Sequence, residues 1–266
     1  MTAVDERPAP AGERVAARRD PRMRARAVEV ARAAGRRRLR RVLALLAAGA
    51  LVALGVAVAH SPLLAARDVT VVGAVHTPRS EVLAVTGLWR RPPLVDVGDA
   101  ADAAALERLP WVARATVTRH LPSSVRIVIV ERHPIAEVAA GAGSYALVDG
   151  SGRVLEYTAT RATRLALVAG VAHVPAPGGV LGARESPALA AAGAVPVSLL
   201  PKVVSVSLAH GGDVVLGLTG GVLVELGSAS ELRQKMVSLA TVLARVPLSA
   251  VRTIDVRVPA DPLLTT

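Results

Sequence analysis

The sequence predicts an α+β protein in which a single transmembrane helix precedes two domains. The first domain has the order β-α-α-β-β, and the second is mainly antiparallel β. Three observations carry that prediction. An uncharged run, Val42–Ala66, lies near the N-terminus. Helical and strand patterns then alternate between residues 68 and 131. Beyond residue 144, short Val- and Leu-rich runs are separated by Gly turns.

Composition sets the frame for these elements. Of the 266 residues 52% are hydrophobic, yet there is no Phe and only two Trp and two Tyr, so the core must be aliphatic. All 32 basic residues except Lys202 and Lys235 are Arg, a bias that fits a high-GC genome. The net charge of +11 is unevenly placed. Residues 1–41 carry a balance of +8, and the remaining residues only +3, so the basicity belongs to the tail and gives no nucleic-acid signal. The absence of Cys excludes thiol catalysis, thiolate metal sites and disulfides.

Residues 1–41 read as an Arg-rich tail, disordered over the first twenty residues and helical as it nears the apolar run. Residues 42–62 read as the transmembrane helix. The uncharged run would extend roughly 37 Å as helix, against a hydrocarbon core of roughly 30 Å. Pro62 marks its exit. Arg36, Arg37, Arg38, Arg40 and Arg41 abut its N-terminal end, while Arg67 and Asp68 cancel at the other. The positive-inside rule then puts the N-terminus in the cytoplasm and the bulk of the chain outside. Ala57-Val58-Ala59 has the small-x-small pattern of a signal-peptide cleavage site, but so long a leader favours an uncleaved anchor.

The first domain is expected over residues 67–132. Asp68–Val72 is a strand ended by Gly73. Thr77 caps a helix with Pro78 at its first position, and that helix stops near Gly87. A second helix runs from Asp99 to Leu109 and ends before Pro110. Strands follow at Ala113–Arg119 and Val125–Val130, with Ala113, Ala115 and Val117 on one face of the former. The second domain is expected over 133–259. A hairpin joins Ala146–Asp149 to Val154-Leu155, and strands follow at 203–208, 214–218 and 222–226. Glu231–Ala244 is a helix with Leu232, Met236, Leu239 and Leu243 on one face. A final strand covers Arg252–Val258, stopped by Pro259, and residues 260–266 are a tail with no further strand.

Several of these stretches resemble the POTRA and C-terminal domains of FtsQ/DivIB cell-division proteins. They are Val69–Gly73, Leu109–Ala115, Arg119–Pro122, Val125–Ala136, Leu165–Gly170 and Ile254–Pro259. The last resembles that family's closing "D-x-R" strand, and Ala166 stands where the family usually has Pro. The resemblance implies a non-catalytic scaffold of the division septum in the plasma membrane. It implies partners of the FtsB/FtsL coiled-coil kind and, through them, the septal peptidoglycan synthase.

A search for chemistry leaves little. Six His are scattered without metal-ligand spacing, no nucleophile motif occurs, and the Gly-rich pairs precede no helix. No catalytic, cofactor or metal residue is expected, and no nucleic-acid or small-molecule ligand. The rival class is a membrane-anchored cell-wall enzyme or accessory, which would need converging catalytic groups. An outer-membrane export component would need a barrel segment after the POTRA domain. The candidate partner-binding residues are Ile254, Asp255, Val256, Arg257 and Val258 on the last strand, where an open edge could accept a strand. Trp89, in the loop between the two helices of the first domain, is a candidate for an exposed contact or for touching the membrane surface. Trp111 reads as a core plug.

Overall fold

A computed structural model describes residues 21–141 and 143–266, with side chains from residue 38 onward. The tail before Pro21 and the side chains of Arg36 and Arg37 lie outside the described residues. Two units make up the chain, Met1–Ala59 and His60–Thr266. The first contributes helix α1 (Pro21–Ala59). Its last 22 residues, Arg38–Ala59, contain an 18-residue stretch with a mean hydropathy of 2.6 and are long and apolar enough to cross a membrane.

The second unit opens with β1 (Asp68–Val72), α2 (Arg79–Thr86), α3 (Asp99–Leu106), β2 (Val112–His120) and β3 (Ser124–Glu131). The strands form a sheet of order β1-β3-β2, with β1 parallel to β3 and β2 antiparallel to it. Val125, Ile127 and Ile129 of β3 alternate inward and pack with Val82 of α2 and Leu106 of α3, so the period-2 pattern of β3 meets the helices on one face.

Three local expectations are corrected here. Thr77 does not cap α2: its N–H donates to Glu131 Oε1 at 3.0 Å, which holds it outside the helix. Extended Pro78 takes the cap position instead, and its carbonyl accepts from Glu81 and Val82. Helix α3 stops at Leu106 rather than Leu109, its end turned by Glu107. Ala113 is exposed because the pairing of β2 shifts between Val112 and Arg114, a bulge that throws the pattern off by one.

Then come β4 (Pro134–Gly141), β5 (Ser144–Asp149), β6 (Val154–Thr158), β7 (Ala166–Val168), α4 (Ser186–Ala194), β8 (Val203–Leu208), β9 (Val214–Leu218), β10 (Leu223–Gly227), α5 (Leu232–Arg245), β11 (Thr253–Asp255) and β12 (Leu263–Thr265). They build one mixed sheet of order β12-β11-β10-β9-β8-β7-β4-β5-β6. Most neighbouring pairs are antiparallel, while β4/β7, β7/β8 and β10/β11 are parallel. Ala136, Val138, Val206, Leu216, Val224 and Ile254 share a core with Leu189 of α4 and with Met236 and Leu239 of α5. Trp111 is buried in a separate cluster with Leu147 and Leu155, so the plug expected of it joins the first domain to the second.

Candidate partner-docking edge

At one end of the nine-stranded sheet, β11 is held from both sides. Val224 and Ile254 are paired in parallel, the Val256 N–H donates to the Glu225 carbonyl at 3.0 Å, and Ile254 sits opposite Leu264 in the antiparallel pair with β12. The Arg252 N–H donates to the Thr265 carbonyl at 2.8 Å. The expected open edge on Arg252–Val258 is therefore corrected. The strand is only Thr253–Asp255, and the supposed tail returns as β12 to cover it. Residues 256–262, which include Pro259 and Pro262, make the reversal. The last strand in the sheet order is β12, and among the described residues no strand pairs with its outer side.

The five candidate residues separate in this arrangement. Ile254 and Val256 are fully buried and anchor the strand to the core. Val258 was expected beside them, but it is 61% exposed, because the chain has left the sheet plane before reaching it. Arg257 donates from its Nε to both oxygens of Asp255 (3.1 and 3.0 Å) and from a terminal nitrogen to Oδ2 at 2.6 Å. Its hydrogen bonds to Asp255 hold that carboxyl below the ordinary aspartate range, and the same contacts raise the Arg257 guanidinium. The stem of Arg257 lies over Gly227, where a Cβ would meet its Cγ at 2.9 Å. Gly227 is left-handed (φ +64), so the turn needs glycine for both reasons.

A groove of about 960 Å³ runs between α5 and the connection from β11 to β12. Val237, Thr241 and Val242 form one wall, Val258, Pro262 and Leu264 the other, with Arg233 and Arg245 also lining it. Leu263 and Leu264 of β12 and Val237 of α5 are exposed, so apolar surface stands beside the free edge.

Trp89 belongs to the other domain, on a short 3-10 turn at Leu88–Arg90, and the structure does not bring it to this edge. Arg38, Arg40 and Arg41 lie on exposed turns of α1. Among the described residues, no group of three or more His, Cys, Asp or Glu could hold a metal ion.

Three buried groups escaped sequence reasoning. Lys235 is 2% exposed, and its Nζ donates to the carbonyls of Leu226 and Ser228, both at 2.8 Å. Glu137 on β4 is completely buried under the 159–165 loop, and its Oε1 accepts from the Ala162 N–H. Glu131 accepts from the N–H groups of Val75, His76 and Thr77, and the His76 ring, 2.8 Å from Oε2, stacks on Trp111 at 3.9 Å. A charged residue in a helix or strand stretch ordinarily marks a solvated face, and nothing local signals these exceptions.

The fold thus defines a class: a chain with one membrane-crossing helix, a small β-α-α-β-β domain and a mixed sheet that ends in an open edge beside a groove. Residues 64–132 match the model of the POTRA domain, FtsQ-type, and residues 136–257 match that of the cell division protein FtsQ/DivIB, C-terminal. The chain belongs to the FtsQ/DivIB family of bacterial cell-division proteins. It is 32% identical to the cell division protein FtsQ of Corynebacterium glutamicum over 38% of this chain and 45% of that one. It is 38% identical to FtsQ of Mycolicibacterium smegmatis, over 32% and 25% respectively. With FtsQ of an Anaeromyxobacter species the figures are 36% identity over 43% and 39%. The matched stretches thus span less than half the length of these relatives. Among solved structures, the major extracytoplasmic domain of DivIB from Geobacillus stearothermophilus aligns with a TM-score of 0.29 and 18% identity, over 45% of this chain and 92% of that one. That score is too low to compare sites.

Proposed function

We propose that this chain is a non-catalytic scaffold of the division septum, with residues 1–41 in the cytoplasm and residues 67–266 outside the plasma membrane. In this reading it links early membrane components of division to small coiled-coil proteins of the FtsB/FtsL kind and, through them, to the septal peptidoglycan synthase. Orientation rests on the Arg36, Arg37, Arg38, Arg40 and Arg41 cluster. The 67–132 domain serves recruitment, and the larger domain, from residue 133 through β12, serves partner capture. The observation that carries the proposal is β12, an end strand with a free edge beside an apolar groove. A partner strand would extend the sheet there by main-chain hydrogen bonds and place alternate side chains in the groove.

The test is truncation of the full chain after Asp261. A cut after Ser249 would also remove Ile254 and Val256, both fully buried, and so would damage the core. The cut after Asp261 removes the exposed side chains of β12 and the half-buried Pro262, and leaves the core intact. Each backbone bond is worth about 1 kcal/mol, so recovery of small coiled-coil proteins from solubilised membranes should fall about tenfold or more. The melting temperature should move little. Undiminished recovery would move partner binding away from this edge.

A further inference from the structure

Helix α1 ends at Ala59, and the residues that follow it are not a loose tether. The Ala66 N–H donates to the Pro92 carbonyl at 2.8 Å, Ala65 and Pro93 form an antiparallel bridge, and His60 faces Asp96 at 3.7 Å. Arg67 closes the segment on itself through the Pro62 carbonyl at 2.7 Å. Residues 60–67 are thereby tied to residues 92–96, which follow directly on the turn that carries Trp89. Leu88 and Leu94 of this segment are buried, but three of its large apolar side chains are exposed: Leu63 at 72%, Trp89 at 60% and Val95 at 49%. Gly87 and Arg91, both left-handed, bracket the turn of Trp89. The Arg90 guanidinium lies 4.8 Å from the centre of the indole. Neither Arg90 nor Arg91 has an ion-pair partner among the described residues.

Chain length decides what this patch meets. Leu63 is four residues beyond Ala59, a reach of at most about 14 Å. If Arg38–Ala59 spans a bilayer, the 60–67 segment stays near the headgroups, and the ties above keep residues 92–96 with it. Trp favours that depth because its ring is apolar and its N–H is polar. Arg in the same place meets anionic phosphate, and aliphatic side chains enter the headgroup boundary shallowly.

We propose that Leu63, Trp89, Arg90, Arg91 and Val95 dock on the surface of the membrane that α1 crosses, with the indole at headgroup depth and both guanidinium groups on anionic lipid phosphate. The inference rests on the reading of Arg38–Ala59 as a membrane span. Docking would hold one side of the first domain against the lipid and limit how far that domain can swing.

The chain's two Trp make the test direct, since the apolar helix has none and Trp111 is buried. The full chain is reconstituted into vesicles of phosphatidylcholine with phosphatidylglycerol, with and without bromine on the acyl carbons nearest the headgroup. Brominated lipid should quench roughly half of the emission, because one indole of two lies at that depth. Trp89→Phe should abolish the quenching. Replacing Arg90 and Arg91 together by Gln should weaken it only where phosphatidylglycerol is present. A chain that floats with the vesicles but is not quenched, or is quenched equally in Trp89→Phe, overturns the proposal and leaves the patch to a protein partner. A chain that does not float with the vesicles overturns the membrane span as well.

Discussion

Two glutamates, Glu137 and Glu131, depend on pH in opposite senses. Burial pushes Glu137 up from the ordinary carboxyl range, and the Ala162 N–H and the Arg161 charge offset this only in part. Among the described residues its Oε2 has no hydrogen-bond partner, and the Arg161 Nε stands 3.8 Å away. With the folded value raised, the site's contribution is fully present below the unfolded value of 4.5 and is lost as pH rises through the folded one. Glu137→Gln keeps an acceptor for Ala162 and removes the charge, so it should stabilise by about 1 kcal/mol at neutral pH and not at all in acid. Glu131 behaves in reverse. Burial pushes it up too, but the His76 imidazole and the N–H groups of His76, Thr77 and Val75 outweigh burial and bring it down to about 2. Its contribution is present above 4.5 and disappears as pH falls toward 2. Discounted for solvent screening, Glu131→Gln should cost about 1–2 kcal/mol at pH 7, and the deficit should close in acid. Denaturant melts of both variants across pH check the two signs, and parallel curves would refute the assignment.

At the scale of the element, α5 depends on a residue its periodicity does not single out. Met236, Leu239, Val242 and Leu243 form its buried stripe, and Lys235 is buried with them. The ammonium group satisfies the carbonyls of Leu226, at the end of β10, and Ser228, just beyond it, on either side of the Gly227 over which Arg257 lies. Lys235→Met would keep the volume and leave both carbonyls short of a donor. A loss of about 1–3 kcal/mol is expected, with a melting point several degrees lower. Partner capture should weaken as the groove wall shifts, and an unchanged melting point would sink the argument. The same helix shows what sequence can reveal. Its apolar stripe follows from spacing, as do β8 and β9, whose Val-rich runs end at Gly turns. Helix α4 was not foreseen, because Ser-Pro-Ala-Leu-Ala-Ala-Ala-Gly-Ala is apolar on nearly every side and shows no stripe. Strand β12 is three residues without alternation, made a strand by pairing with β11. The alternation at Ile254 and Val256 was legible in the candidate site. Which strand is the edge was not, since that depends on a partner eight residues or more away.

For the molecule outside α1, the question is whether its two sheets act together. The chain passes from β3 to β4 through Arg132, which is tied at three points. Its N–H donates to the Trp111 carbonyl at 2.7 Å, its Nε to the Val112 carbonyl at 3.1 Å, and a terminal nitrogen to Asp149 Oδ2 at 2.8 Å. Burial pushes Asp149 up, yet the Ser151 hydroxyl, Arg132 and two N–H groups hold it below its ordinary value. Trp111 packs on Leu147 and Leu155 of the larger sheet, and Arg153 donates back to the Arg108 carbonyl at 2.8 Å. These contacts join the smaller sheet to the larger through packed and hydrogen-bonded groups rather than a linker. The full chain in detergent should accordingly unfold residues 60–266 in one cooperative transition. Arg132→Ala leaves an Asp149 oxygen and the Val112 carbonyl without their donor, at a cost of about 3 kcal/mol. That cost falls on the junction and on neither core, so calorimetry should resolve two transitions where the parent shows one. Trp111→Ala removes the apolar half of the same junction. Its effect should combine with that of Arg132→Ala less than additively, by about 1 kcal/mol, because either change alone already releases the sheets. A single transition in Arg132→Ala at the parent's melting temperature would mean that the two sheets are held together by contacts other than these.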